Sequence, residues 1–265
     1  MPRAVAINVA ANTNLPGRRG PVYPDGSFVY VPIPEREPTA EAIPTYADLD
    51  LAAHVPDDAV DSPVHLDPEF AGTLGREAYT YGDPHGVKAG PLSRLDSGDW
   101  LLFYATLTVR DGDDDHGIAD DDHGIADDDR ADGHRADGAD RADWLPPEWG
   151  CFLIGEFRVA EVLTGDEYRE ADAATRERFA SNAHVRRDSF DAAALVRGDS
   201  GGSRLFDRAV PLSTPAAGAD ANRLVTELSN DSGNGPWWRR VLRYDADATA
   251  TLRDRIDTDP DGCPT

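Results

Sequence analysis

Gly98-Asp99-Trp100-Leu101-Leu102-Phe103-Tyr104-Ala105-Thr106-Leu107-Thr108-Val109 and, further on, Cys151-Phe152-Leu153-Ile154-Gly155-Glu156-Phe157-Arg158-Val159 are the two stretches that decide the fold. Both are dense in aromatic and β-branched side chains, the composition of buried strands, and Gly98-Asp99 supplies a turn before the first. Between them the chain changes character. Asp113-Asp114-Asp115-His116-Gly117-Ile118-Ala119 is repeated as Asp120-Asp121-Asp122-His123-Gly124-Ile125-Ala126, and Arg-Ala-Asp triplets recur at Arg130, Arg135 and Arg141. Residues 110–143 hold 14 aspartates and 4 arginines, a net charge of −10, with almost no large apolar side chain to offset ordering. Removing this segment leaves a long antiparallel hairpin with an acidic, flexible insertion at its tip, where added length costs least. His116, His123 and His134 do not make the insertion a metal site, because a glycine-punctuated run does not hold ligands at fixed distances.

Working outward, residues 4–9, 27–33, 192–197 and 205–211 also read as strands. Residues 166–180, acidic at the start and basic at the end, read as a helix that suits its dipole. A C-terminal helix is expected to open over 237–244 and resume over 248–256. The predicted class is α+β, with a dominant, mostly antiparallel sheet curled into a small β-barrel and flanked by helices. The expected division is a domain over 1–215, carrying the insertion, and a helical extension and tail over 216–265.

The chain has 265 residues, of which 40% are hydrophobic, enough for a packed core. Its net charge is −24, and Lys88 is its single lysine beside 25 arginines. Such acidity suits a protein kept soluble in concentrated salt, hence a halophilic cytoplasm. No apolar run approaches the ~20 residues of a membrane span, and the start carries no export signal. Cys151 and Cys263 give neither a disulfide framework nor a zinc spacing. The sequence also lacks GxGxxG, a Gly-Lys-Ser/Thr phosphate loop, HExxH and GxSxG. Nicotinamide-dependent, P-loop and common hydrolase activities are thereby disfavoured, and no cofactor or metal is assigned.

Chemistry concentrates in short polar clusters between the predicted elements. These are Asp25 in Pro24-Asp25-Gly26-Ser27, His65 with Asp67 and Glu69, Tyr81 with Asp83, Asn182 with His184, Arg186 and Arg187, and Ser203-Arg204 after a glycine pair. Taken singly, each can be a turn or a cap. Together they supply imidazole, carboxylate, phenol and guanidinium groups for acid–base work, or for stacking and edge-bonding a planar ring.

The ordered set Tyr23-Pro24-Asp25-Gly26-Ser27-Phe28, Pro32-Ile33-Pro34-Glu35, Thr45-Tyr46, Leu66-Asp67-Pro68-Glu69-Phe70, Thr80-Tyr81-Gly82-Asp83, Gly98-Asp99 with Phe103-Tyr104, Ile154-Gly155 and Asn182-Ala183-His184 resembles the third type of nucleotide modification associated domain. That family occurs in archaea and bacteria, and with this acidity the chain would be its haloarchaeal member. The resemblance implies a role in nucleotide or nucleic-acid base modification. The strand pair is also similar to that of PUA-like and EVE domains, which hold a modified base in a small barrel.

The expected function is therefore action on, or recognition of, a base in a pocket, with a nucleotide or a flipped nucleic-acid base as partner and no membrane. Asp25, Asp67, Glu69, Asp83 and His184 are the expected acid–base groups. Tyr81, Phe103 and Tyr104 would stack the base, and Asn182, Arg186, Arg187, Ser203 and Arg204 would bind its edge and phosphate. The net charge of −24 opposes long contacts with a polyanion and favours a single nucleotide or extruded base. The alternatives are a small-molecule enzyme with His65 or His184 as base and a non-catalytic interaction module. A metal enzyme using His65, Asp67 and Glu69 is a further possibility that no spacing enforces.

Overall fold

The computed structural model describes residues 2–10, 18–84, 86–111, 142–231 and 235–258, so the acidic repeat lies outside the described residues. In chain order the strands are β1 (Ala4–Asn8), β2 (Pro21–Val22), β3 (Ile33–Pro34), β4 (Val64–His65), β5 (Thr80–Asp83), β6 (Trp100–Val109), β7 (Trp149–Thr164), β8 (Ala194–Gly198), β9 (Arg204–Pro211) and β10 (Leu242–Tyr244). The helices are α1 (Gly86–Leu92), α2 (Gly165–Glu170), α3 (Ala173–Glu177), α4 (Arg223–Thr226) and α5 (Ala246–Thr258). The fold is α+β, built on an eight-stranded, mostly antiparallel sheet.

The two stretches that opened the sequence reading form its spine. β6 and β7 pair antiparallel from Trp100 opposite Arg158 to Thr108 opposite Trp149, with a bulge where Phe103 faces Gly155 and Tyr104 faces Leu153. β7 runs for 16 residues and divides its other edge between two partners. Phe152–Glu156 binds β9, and Val159–Thr164 binds β8, which carries β5. On the far side β1 lies parallel to β6 and takes β10 at its outer edge.

Among the described residues β10 and β5 end the strand order and do not pair with one another, so the sheet stays open. This corrects the expected barrel. Closure needs hydrogen bonds between the terminal strands, and a second edge shared between β9 and β8 spreads the sheet instead.

Alternation along the strands sends successive side chains to opposite faces. Val5, Ile7, Leu101, Phe103, Ile154, Phe157 and Val196 enter one core layer, which includes Phe70 and Tyr81. Ala4, Ala6, Leu102, Tyr104, Leu153 and Leu242 enter the other, which is covered by Leu252 and Ile256 of α5. With both faces covered, β6 is apolar along nearly its whole length, which is why its sequence shows a run and no polar alternation.

Three element expectations change: residues 27–33 form no continuous strand, only an isolated bridge from Phe28 to Val22 and the two-residue β3 at Ile33–Pro34. Residues 166–180 form two short helices, because Asp172 takes an extended backbone and accepts the Thr175 N–H as the N-cap of α3. Residues 237–244 form a short 3-10 turn and then β10, and the helix begins at Ala246.

Candidate functional site

Two stretches of chain assemble the site over β5. Segment 29–69 packs a small apolar cluster of its own around Val31, Tyr46, Leu51 and Leu66, delivering Glu35, His65, Asp67 and Glu69 at its margin. Segment 178–191 follows α3 and is fixed by Phe179 in a second cluster with Tyr168 and Leu195. Backbone bonds zip the two together: Ala40 N–H donates to the Arg186 carbonyl and Asp188 N–H to the Pro38 carbonyl. The zipper brings residues more than a hundred positions apart in sequence into one ionic cluster.

At its centre the two imidazoles meet edge to face, with ring centroids 4.8 Å apart. His65 Nδ1 lies 2.6 Å from Glu35 Oε2, and His184 Nδ1 lies 2.7 Å from Asp191 Oδ1. A carboxylate only accepts, so these shortest contacts assign the ring proton to Nδ1 in both histidines, with the Arg187 guanidinium also 3.1 Å from His184 Nδ1 and 3.4 Å from His65 Nδ1. Arg187 spans the two clamps, donating to Glu35 Oε1 at 2.8 Å and to Asp191 Oδ2 at 2.6 Å. Burial works to raise the Glu35 carboxyl, but hydrogen bonds from His65 and Arg187 outweigh it and hold it down at about 2. Burial likewise works against Asp191, whose bonds to His184 and Arg187 keep it below its ordinary range. His184 is pushed down to about 4, first by burial and then by the neighbouring His65, against the pull of Asp191.

With Nδ1 committed outward, the other nitrogens turn inward. His65 Nε2 is 3.8 Å and His184 Nε2 3.6 Å from Asp67 Oδ2. Asp67 is buried, and its two oxygens accept the Gly82 N–H at 3.1 and 3.0 Å, while Oδ1 also accepts Asn182 Nδ2 at 3.0 Å. Burial raises its pKa well above the carboxylate range, and the charges of Asp83 and Glu69 add to that, beyond what the Gly82 and Asn182 donors restore. Gly82 is required here. A Cβ on it would stand 2.7 Å from His184 Cδ2 and 3.0 Å from Asn182 Oδ1.

Around the centre lies a supporting layer. Glu69 accepts from Thr80 Oγ1, Ser181 Oγ and Arg76 Nε at 2.7–3.0 Å, tying the Asp67 turn to segment 178–191. Tyr81 donates to Asp83 Oδ2 at 2.8 Å, and burial followed by the Asp83 and Asp67 charges pushes its phenol well up. Lys88 Nζ stands 3.5 Å from Asp83 Oδ2 and 3.4 Å from the Tyr81 hydroxyl, and donates to the Asn8 carbonyl at 3.2 Å. The single lysine of the chain therefore sits beside this centre.

Of the residues singled out in the sequence, Asp67, Glu69, Tyr81, Asp83, Asn182, His184 and Arg187 come together here. Arg186 lies at the rim, 24% exposed and 3.7 Å from Glu41. Phe103 packs its ring against Tyr81 and Phe70 beneath the site. The others are placed elsewhere. Asp25 caps its own turn through Ser27, on the surface against Arg208. Tyr104 points to the opposite sheet face and donates to the Arg240 carbonyl. Ser203 accepts the Arg158 N–H, and Arg204 pairs with Glu156 and Asp257 near α5.

Sequence reasoning gave no role to Glu35, Asp191 or Lys88. For Lys88 its singularity was the available signal; for the two carboxylates there was none beyond Glu35 lying in a quoted motif. Among the described residues one group of side chains has ligand atoms disposed to hold a cation. It is His65, Asp67 and His184, with all three atoms within 4.8 Å of one another.

Fold and site together define an α+β domain with an open, mostly antiparallel sheet and a buried imidazole–carboxylate centre at one end of it. The chain belongs to the family of nucleotide modification associated domain 3, whose model it matches over residues 3–254, nearly its whole length. The family's name associates it with nucleotide modification. Neither a curated protein nor a solved structure matches the chain. No helix among the described residues is long and apolar enough to cross a membrane.

Proposed function

We infer that this chain modifies a nucleotide, or a nucleic-acid base drawn out of its stack, with the reacting groups at the Asp67 centre. The observation that carries the reading is the convergence of Glu35, His65, Asp67, Tyr81, Asp83, His184 and Asp191, from well-separated parts of the sequence, into one cluster beside Lys88. Burying charged and polar groups costs several kcal/mol per ion before pairing, and apolar side chains of similar volume would stabilise the fold at least as well. Perturbed titratable groups converging in this way are where working sites are sought. Imidazoles held against a carboxyl that burial raises well above its ordinary range are the kind of groups that relay protons in acid–base catalysis.

The substrate route in this reading is the narrow cleft alongside Glu35, lined by Thr39, Leu66, Arg76, Ser181 and Arg186, which holds little more than a water molecule and must open to admit a base. Arg186 at the rim is placed to meet a phosphate. The overall charge of −24 argues against long duplex contacts.

The test is a thermal-shift series in molar salt against nucleotides and modified nucleosides. A ligand at 100 times its Kd stabilises the folded state by about 2.7 kcal/mol, which a melting curve resolves. The expected result is a rise with at least one nucleotide. It should be lost in Asp67→Asn and weakened in Arg186→Ala, and retained in Asp25→Ala and Arg204→Ala. No rise with any of them, or a rise that survives Asp67→Asn and disappears in Asp25→Ala, overturns the reading.

A further inference from the structure

Two imidazole nitrogens and a carboxylate oxygen face one another across distances too long for hydrogen bonds. The clamps fix which atoms these are. With the Nδ1–H of each ring held by Glu35 or Asp191, the Nε2 atom is the one left to present a lone pair, and the two Nε2 atoms stand 3.8 and 3.6 Å from Asp67 Oδ2. Acceptors turned on one another in a buried site need a proton or a cation between them, and three of them converging on one point suit a cation.

We propose that His65 Nε2, Asp67 Oδ2 and His184 Nε2 bind one divalent first-row transition-metal ion. Bonds of about 2.0–2.2 Å to nitrogen and oxygen put neighbouring ligand atoms roughly 3.0–3.5 Å apart, so the two contacts to Asp67 close with a few tenths of an ångström of contraction, while the widest separation in the trio, up to 4.8 Å, requires the two rings to draw together on the ion. The next layer is the one metal histidines need: each donates its other nitrogen to a carboxylate, and Arg187 locks both carboxylates at once. Asp67 is further oriented by the Gly82 N–H and the Asn182 amide. Two imidazoles select zinc, iron, cobalt or manganese over magnesium and calcium, which prefer all-oxygen sets. Three protein ligands leave at least one coordination position for water or a substrate oxygen, the pattern of catalytic sites. That the open position serves a nucleotide rests on the proposed function; the ion itself does not.

The experiment uses the full chain in molar potassium chloride, stripped with a chelator and then loaded with Zn²⁺ or Co²⁺. Elemental analysis after gel filtration should find one ion per chain, and Co²⁺ should give visible d–d bands of a low-coordinate centre. His65→Gln, Asp67→Asn and His184→Gln should each abolish these bands. Glu35→Gln and Asp191→Asn should weaken binding about 10–100-fold. His54→Gln and the triple variant His116→Gln, His123→Gln, His134→Gln should retain the ion.

Should the ligand variants fail to fold, the intact Co²⁺ protein decides, because the His65 and His184 imidazole protons must show paramagnetic shifts. No retained ion, retention that survives His184→Gln, or an ion lost with the triple variant overturns the proposal. A nucleotide-dependent melting shift that persists in chelator without bound ion removes the metal and leaves the function reading. A bound ion with no nucleotide response does the reverse.

Discussion

Replacing Phe70 by alanine is expected to lower the unfolding free energy by about 4 kcal/mol. Phe70 is 1% exposed and closes the turn that carries Asp67 and Glu69. Its ring lies 5.4 Å from those of Phe103 and Phe157 and 5.8 Å from that of Tyr30, all edge to face. Gly155, at the bulge between β6 and β7, makes room for it, since a Cβ there would stand 2.7 Å from the ring. Alanine leaves a cavity between two strands that cannot collapse onto it. At roughly 2–4 °C per kcal/mol for a chain of this size, the melting temperature should fall by about 10 °C. Because the same ring seats the Asp67 turn, the nucleotide-dependent melting shift should disappear as well, while Phe70→Leu should cost about half as much. A loss below about 1 kcal/mol in urea unfolding would show that the aromatic cluster is not what seats the site.

Arg187→Ala is expected to cost about 3 kcal/mol. The guanidinium is 11% exposed and pairs with Glu35, which is 2% exposed, as well as with Asp191. Its removal leaves the buried Glu35 carboxylate facing His65 and the Arg36 and Glu37 amides without its guanidinium, and it releases the strap between the two histidine clamps. Arg187→Lys should recover only part of this, because a single ammonium cannot reproduce a planar fork directed at two carboxylates. Metal affinity should follow the same order, wild type above lysine above alanine. Equal stability for the lysine variant and the wild type would mean that Arg187 acts as a point charge and no more.

Much of the fold was legible because its central hairpin is buried on both faces. A strand covered on both sides needs an unbroken apolar run, and Trp100–Val109 has one. What escaped were features set by partners distant in sequence. Whether the sheet closes depends on how β7 shares its second edge between β9 and β8, and no local pattern encodes that. The break at Asp172 carried a visible signal, since an aspartate inside a helical stretch competes for the backbone as a cap. Tyr104 beside Phe103 carried another, because adjacent strand residues cannot face the same pocket.

The site was partly legible for a related reason. Asp67, Tyr81, Asp83, Asn182 and His184 stand in short polar runs between apolar elements, where a side chain that is not packing must be doing something else. Glu35 and its clamp by Arg187 were not, because that relation joins segments over a hundred residues apart, and Asp191, though only seven residues past His184, stands in no pattern that marks it. Arg187 alone reads as a free cation available to phosphate. Only the zipper between residues 38–40 and 186–188 turns it inward onto two carboxylates.

The most direct measurement is an anomalous difference map from crystals of the zinc-loaded chain, collected at the zinc absorption edge. One strong peak should lie among His65 Nε2, Asp67 Oδ2 and His184 Nε2, at about 2.0–2.2 Å from each. No density there, or a peak held by other carboxylates while both rings keep their present distances from Asp67, would contradict it.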